Sequence, residues 1–247
     1  MKVSIITITL NSASTVRDTL ESVACQTYPN IEHVIVDGAS SDKTLTEVNK
    51  YKHLHKVISE PDQGIYDAMN KGIQNVSGDI VGILNSDDVF ADNNVISKIV
   101  RQFKENKSIY TVYGNITYFK GDYPEKIKRT WIPKPYYEDF FEDGEVPPHP
   151  TLFVRKEVYD IIGTYYPKFK IASDYEFMLR MLKLHNYKSY HLNEVLVRMR
   201  LGGDSGSGLH NLILNNNEVL QAWKMNGLTP PLKFYFKRPV KKIRQLF

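Results

Sequence analysis

The run Ile80-Val81-Gly82-Ile83-Leu84-Asn85-Ser86-Asp87-Asp88 carries an apolar strand straight into two adjacent carboxylates. A short apolar run of this kind fits a strand buried on both faces, as in a parallel sheet. Carboxylates side by side at its tip repel, and one is pushed toward protonation unless a metal ion or a Lys/Arg neutralises the pair. A hard divalent ion such as Mg²⁺ or Mn²⁺ takes one or two carboxylates together with phosphate oxygens. The same pair also suits a helix N-cap, here for a helix over about 92–105.

Toward the N-terminus, strands and helices alternate. Val3 to Leu10 reads as a strand, Asn11-Ser-Ala-Ser14 as a turn and cap, and the following helix runs to about Gln26. Ile31 to Val36 is a second strand, followed by Asp37-Gly-Ala-Ser-Ser-Asp42 and a helix to about Tyr51. Lys56 to Ser59 is a weaker strand and Tyr66 to Asn75 a helix. This order predicts an α/β fold, a Rossmann-like, mostly parallel sheet flanked by helices, whose ligands sit beyond the carboxyl ends of the strands. Thr9 and Asn11, Asp37, the Asp62 loop and Asp87/Asp88 should therefore meet on one edge. Four polar strand ends converging weigh against a cap as the whole role of the carboxylate pair.

Past Asn106 the alternation changes. Tyr110 to Phe119 and His149 to Arg155 read as strands, and the stretch 121–150, rich in Pro, Tyr and acids, reads as a binding loop or lid. Ser173 to about His185 has helical apolar spacing. We divide the chain into 1–110, a nucleotide-binding half, 111–232, an acceptor-side half of the same domain, and 233–247, a basic amphipathic tail.

The 247 residues, 42% hydrophobic and 24% charged, suit one soluble α/β domain. No run is long enough to span a bilayer, Met1-Lys2 leads directly into a strand, and the lone Cys25, expected to pack in the core, makes no intrachain disulfide; a reducing cytosol is the simplest compartment. The net charge of +4 hides an asymmetry: six cations and no acid lie in 233–247, which leaves the remainder at −2. Interleaved with Phe234, Tyr235, Phe236, Val240, Ile243, Leu246 and Phe247, these cations suit an anionic membrane surface; a solvated tail is the alternative. An acidic remainder offers nucleic acid no extended surface, so we expect no such partner. Oligomeric state is open, with Trp223 a candidate for a dimer or membrane contact. Gly206-Ser-Gly208 lacks the third glycine of a dinucleotide fingerprint, and no Gly-Lys-Ser/Thr occurs, which disfavours an oxidoreductase.

Taken in order, Ser4 to Asn11, Val36 to Thr44, Glu60-Pro-Asp-Gln-Gly-Ile-Tyr-Asp-Ala-Met-Asn-Lys-Gly72, Leu84 to Asp88 and Ile171 to Arg180 resemble the family 2 glycosyltransferases, inverting enzymes of the GT-A fold. The third segment is similar to the branch acting in bacterial O-antigen, capsule and exopolysaccharide synthesis. The resemblance implies that Asp37 holds the nucleotide base, with Thr9 and Asn11 lining that pocket and Asp62, Asp67 and Lys71 contributing polar contacts. It implies Asp87 near the ribose, Asp88 as the metal ligand and Asp174 as catalytic base. Many relatives carry two carboxylates after the second strand; here the second is Gly38, which puts base recognition on Asp37 alone. His149 is a candidate for the acceptor side or an ordinary surface histidine, and Arg198 and Arg200 precede a flexible loop, 201–208, suited to closing over a diphosphate.

The function so implied is transfer of a sugar from a nucleoside diphosphate sugar, expected to be uridine-based, to a polyprenyl-diphosphate-linked glycan on the inner face of the cell membrane, with Mn²⁺ or Mg²⁺ as cofactor. A non-catalytic sugar-nucleotide-binding module is the alternative, favoured if Asp174 only caps its helix and points away from the site.

Overall fold

The computed structural model describes residues 1–122, 124–202 and 209–244, with backbone alone at 209, 210 and 242–244. The N-terminal half is β1 (Val3–Thr9), α1 (Val16–Ala24), β2 (Ile31–Asp37), α2 (Thr44–Val48), β3 (Lys56–Ser59), α3 (Ile65–Gln74) and β4 (Ile80–Ile83). Its strands lie in the order β3-β2-β1-β4, parallel throughout, with Thr9 in register with Asp37 and Asp37 with Ser59. Every residue of β1 is buried, as a central strand covered on both faces requires. Gly72 lets α3 close on the sheet: a Cβ there would stand 2.4 Å from Cγ2 of Ile6.

The second half adds β5 (Val89–Phe90), α4 (Val95–Glu105), β6 (Thr111–Phe119), β7 (Ile127–Trp131), β8 (Phe153–Arg155), α5 (Lys156–Ile162), α6 (Ser173–Met178), β9 (Ser189–Arg200), α7 (Leu209–Met225) and α8 (Leu232–Arg244). Strand β8 pairs antiparallel with β4 and β6, so one nine-stranded sheet runs through both halves in the order β3-β2-β1-β4-β8-β6-β9-β5, with β7 on β6. The strand expected over 149–155 is shorter, because His149–Thr151, preceded by Pro148 and containing Pro150, forms a 3-10 turn before β8 begins. α6 runs on into a π-helical segment, Leu179–Leu184.

Three expectations are corrected. Cys25 is exposed, because it is the C-cap of α1 and lies beyond the buried stripe Val16, Thr19, Leu20, Val23. The 121–150 stretch is no free lid: it contains β7, and Phe140 and Phe141 are wholly buried in the main core. Trp223 is buried too, its indole N–H donating to the Tyr175 hydroxyl at 2.9 Å and its ring lying edge-on to Phe234.

The tail is likewise a packed helix for most of its length. Lys233 pairs with Asp139 at 2.6 Å, Lys237 with Asp143 at 2.8 Å, and Lys241 with Glu145. The Arg238 guanidinium lies over Tyr175 and Phe234. These ion pairs use cations that the sequence reading assigned to a membrane, while Leu232, Tyr235, Phe236 and Val240 remain exposed. Residues 245–247, and the side chains of 242–244, lie outside the described residues.

A buried His33 links β2 to the molecule's pH response. Its Nε2 meets Thr7 Oγ1 at 3.0 Å and its Nδ1 meets His53 Nε2 at 3.1 Å. Burial, aided by His53, pushes His33 down from 6.5 to about 3. The unfolded chain therefore takes a proton that the fold refuses, and stability is lost as pH falls from 6.5 toward 3. The Asp88 carboxyl, raised by burial, works in the opposite sense, so the diagnostic quantity is a difference between proteins. Between about pH 6 and 5, wild type should lose about 1.4 kcal/mol more per pH unit than His33→Gln in urea unfolding. Equal slopes would remove His33 from this role.

Candidate functional site

The carboxyl ends of β1, β2, β3 and β4 are laced together by short polar contacts. Thr9 Oγ1 donates to Asp37 Oδ1 at 2.9 Å, and Ser59 Oγ to Asp37 Oδ2 at 2.8 Å. Ser40 adds its hydroxyl to Oδ1 and its N–H to Oδ2, the latter at 3.0 Å. Burial alone would raise the Asp37 carboxyl, but these donors hold it below its ordinary value. Asn11, in a left-handed conformation (φ 49°), accepts from Ser41 N–H at 2.9 Å, and Ser12 accepts from Ser86 at 2.8 Å, tying the β1 loop to the Asn85–Asp88 loop. Thr9, Asn11, Asp37 and the Asp87/Asp88 pair thus lie on one edge, as the alternation predicted.

The Asp62 loop joins them. Asp62 Oδ1 accepts the Gly64 N–H at 2.9 Å, and its Oδ2 lies against Gly38. Asp67 and Lys71 serve the loop itself: Asp67 accepts the Gln63 N–H at 3.0 Å, and Lys71 donates to the Pro61 carbonyl at 2.8 Å while pairing with Glu60 at 3.0 Å. These contacts form a clasp across residues 60–71 that holds the loop carrying Asp62.

Asp87 and Asp88 do not cap α4, whose N-cap is Asn94. They differ sharply in environment. Asp88 is wholly buried, Oδ2 accepting from Asn85 Nδ2 at 3.0 Å and Oδ1 from the Arg200 N–H at 3.1 Å. Burial, and then the charge of Asp87, raise its carboxyl well above the carboxylate range. Asp87 is the partly exposed member. Beside them Asn85 Oδ1 is buried without a hydrogen-bond partner, an acceptor that suits a cation or its bound water. The donor set of Asn85, Asp87 and Asp88 fits a hard divalent ion, Asp87 being the carboxylate partly open to solvent. Among the described residues no group of three His, Cys, Asp or Glu could hold a metal, so such an ion would take most of its ligands from phosphate and water.

Asp174 stands in the first turn of α6, whose N-cap is Ala172, so it is not the capping residue. The loop leading into α6 is held from α7: the buried Glu218 carboxylate accepts the N–H groups of Lys170, Ile171 and Ala172 at 2.8, 2.9 and 2.9 Å. Asp174 Oδ1 accepts the Tyr66 hydroxyl at 3.1 Å and the Tyr175 N–H at 2.8 Å. Tyr66, buried on α3 directly after the Asp62 loop, thereby connects the base candidate to the strand-end loops. Sequence reasoning quoted Tyr66 without a role and passed over Glu218, whose only signal was one acid in an Asn-rich helix.

His149 Nε2 meets the Tyr165 hydroxyl at 2.8 Å, and Tyr165 packs on Tyr66 with ring centroids 5.9 Å apart. Burial lowers the His149 pKa, with the Asp174 charge opposing, so this histidine is partly enclosed behind the base candidate rather than an ordinary surface residue. Arg198 and Arg200 lie at the end of β9. The Arg200 guanidinium pairs with Asp18 at 3.0 Å and Asp122 at 3.2 Å and lies over Phe119, which fixes it structurally. Arg198 lies opposite Val89 in the β5–β9 pairing. Of the loop 201–208 proposed to close over a diphosphate, residues 203–208 lie outside the described residues.

The sequence profile described as Glycosyl transferase family 2 matches residues 4–161. An uncharacterized glycosyltransferase of Mycobacterium tuberculosis, Rv1514c, is 34% identical over 181 residues, covering 72% of this chain and 68% of that protein. A PGL/p-HBAD biosynthesis glycosyltransferase of Mycobacterium bovis is 28% identical over 188 residues, with the same coverages of 72% and 68%. Among solved structures, S. aureus TarS 1-349 in complex with UDP superposes with TM-score 0.68 at 20% identity, over 96% of this chain and 68% of that one. The mannosyltransferase PcManGT from Pyrobaculum calidifontis, in complex with GDP-Man and Mn²⁺, gives TM-score 0.65 at 17% identity over 97% and 68%. These likenesses show the GT-A fold. With the profile spanning most of the chain and that mycobacterial relative matching over two thirds of both proteins, the chain belongs to glycosyltransferase family 2.

Proposed function

We propose that this glycosyltransferase moves a sugar from a uridine diphosphate sugar to a lipid-linked glycan, a polyprenyl-diphosphate-bound acceptor, in bacterial surface polysaccharide synthesis. The observation that carries the reading is the Tyr66–Asp174 hydrogen bond, which ties this carboxylate to the first turn of α3, just after the Asp62 loop. Asp174 accepts the proton of the acceptor hydroxyl as that oxygen attacks the anomeric carbon from the side opposite the nucleotide. One displacement inverts the centre, so an α-linked donor yields a β-glycoside. Asp87 and Asn85 would hold the divalent cation, Mn²⁺ or Mg²⁺, which supplies Lewis-acid stabilisation of the departing diphosphate. Asn11 and the Asp62 loop bind the nucleoside, while His149 and Tyr165 shape the acceptor side. The same Tyr66 contact favours this reading over the non-catalytic binding module, because it links Asp174 to the helix that follows the Asp62 loop.

The TarS structures with UDP and UDP-GlcNAc support the donor class, and the PcManGT complex supports the metal. No helix among the described residues is long and apolar enough to cross a membrane. We assign the approach to the inner membrane face to the exposed Leu232, Phe236 and Val240 stripe of α8, one residue per turn, more than to its paired lysines. Calorimetric titration of UDP with and without Mn²⁺ tests the donor reading. Metal-dependent binding is the expected result, and the absence of binding by uridine, guanosine and thymidine diphosphates alike would reject it. Proton NMR of the anomeric product reads the stereochemistry.

A further inference from the structure

The carboxylate that the sequence reading placed in contact with the base is closed off. Asp37 is 0% exposed, and each of its oxygens takes two donors, Thr9 and Ser40 on one, Ser40 and Ser59 on the other. It binds the ends of β1, β2 and β3 together and has no acceptor position left for a ligand. The next position, where many relatives carry a second carboxylate, is Gly38. That space is filled from elsewhere: a Cβ on Gly38 would fall 2.4 Å from Oδ2 and 3.3 Å from Cγ of Asp62. Asp62 is partly exposed, and its other oxygen is fixed by the Gly64 N–H at 2.9 Å. The carboxylate missing after β2 is thus supplied by the β3–α3 loop, and the absence of a side chain at Gly38 is what admits it.

We infer that Asp62, seated in the space left by Gly38, is the residue that selects the nucleotide base, and that Asp37 only braces the strand ends. This rests on the nucleotide-sugar reading above and names its specificity determinant. A fixed carboxylate oxygen accepts from a ring N–H and repels a ring nitrogen lone pair. It therefore favours uracil, thymine or guanine, which carry such an N–H, over cytosine, whose N3 is an acceptor. The loop that holds it is the one that leads into Tyr66, so base recognition and the base candidate Asp174 are joined through the first turn of α3.

The test is calorimetric titration of UDP and CDP, with Mn²⁺ present, into wild type, Asp62→Asn, Gly38→Ala and the double variant. Wild type is expected to prefer UDP. Asp62→Asn keeps an oxygen for the Gly64 N–H but replaces the other with an amide that donates to cytosine N3. UDP affinity should fall roughly ten- to a hundredfold and the UDP preference should shrink or reverse. Gly38→Ala meets only the far end of a movable side chain, so the fold should survive while the displaced Asp62 loses UDP to a similar degree. The double variant should be no weaker than the weaker single one, because both changes remove one interaction. Wild type binding UDP while Asp62→Asn leaves the UDP:CDP ratio unchanged would overturn the inference and leave the donor reading standing. Additive losses in the double variant would overturn the link to Gly38. Wild type binding none of the nucleoside diphosphates would overturn the donor reading, and this inference with it.

Discussion

Asp174→Asn should lower kcat for sugar transfer by on the order of 10³-fold, the size of a lost general base, while UDP affinity stays within about twofold of wild type. The substitution is nearly isosteric, and the amide oxygen can still accept from the Tyr66 hydroxyl and the Tyr175 N–H, which both fall on Oδ1. The loop leading into α6 is untouched, because Glu218 holds it from α7. The fold and the donor pocket therefore persist, and only proton acceptance is removed. A single-turnover assay with a polyprenyl-linked acceptor measures kcat and calorimetry measures the donor site. If kcat fell less than tenfold, Asp174 would not be the base. If UDP binding fell with kcat, its role would be structural. Tyr66→Phe is a milder companion: it leaves the carboxylate but frees its orientation, so kcat should fall with KM for the donor little changed.

How much of this was legible in the sequence follows from what each signal encodes. A parallel βαβ unit fixes where its strand ends lie, so the convergence of Thr9, Asn11, Asp37, Asp62 and the Asp87/Asp88 loop could be read from order alone. Which oxygens face outward could not. Asp37 and Asp88 are both carboxylates at strand ends, yet both are enclosed by donors from segments distant in sequence, Ser59 and Arg200 among them. The C-terminal region was only partly legible for a related reason. Its cations and aromatics suggested a tail meeting a membrane, whereas the acids of 139–145 stand where they neutralise Lys233, Lys237 and Lys241, and Trp223 and Phe234 fill the core. Composition counts such charges but does not say which segment meets them. Strands β5 and β7 are short or half-exposed and lack the apolar run that marked β4.

The two adjacent acids that decided the fold should separate cleanly under substitution. Asp87→Ala is expected to reduce the Mn²⁺-dependent part of UDP affinity by on the order of 10²-fold, to the level seen without metal, with a smaller change in melting temperature than Asp88→Ala. Asp87 is the partly exposed carboxylate next to the unpartnered Asn85 Oδ1, and removing it takes charge from the place where a cation and a diphosphate would meet. Asp88→Ala acts through the fold instead. It strips acceptors from Asn85 Nδ2 and from the Arg200 N–H at the end of β9, and each donor left buried and unsatisfied costs about 1–3 kcal/mol. Its melting temperature should therefore drop, and its nucleotide affinity should fall only as far as the Asn85–Asp88 loop loosens. Asp88→Asn keeps an oxygen for one donor and should recover part of that stability, whereas Asp87→Asn should recover little of the metal effect, because an amide carries no charge. Differential scanning calorimetry and titration with Mn²⁺ on the four variants distinguish the roles. If Asp88→Ala kept wild-type stability and lost metal dependence, the ligand would be Asp88, and the loop would have to open on binding to expose it.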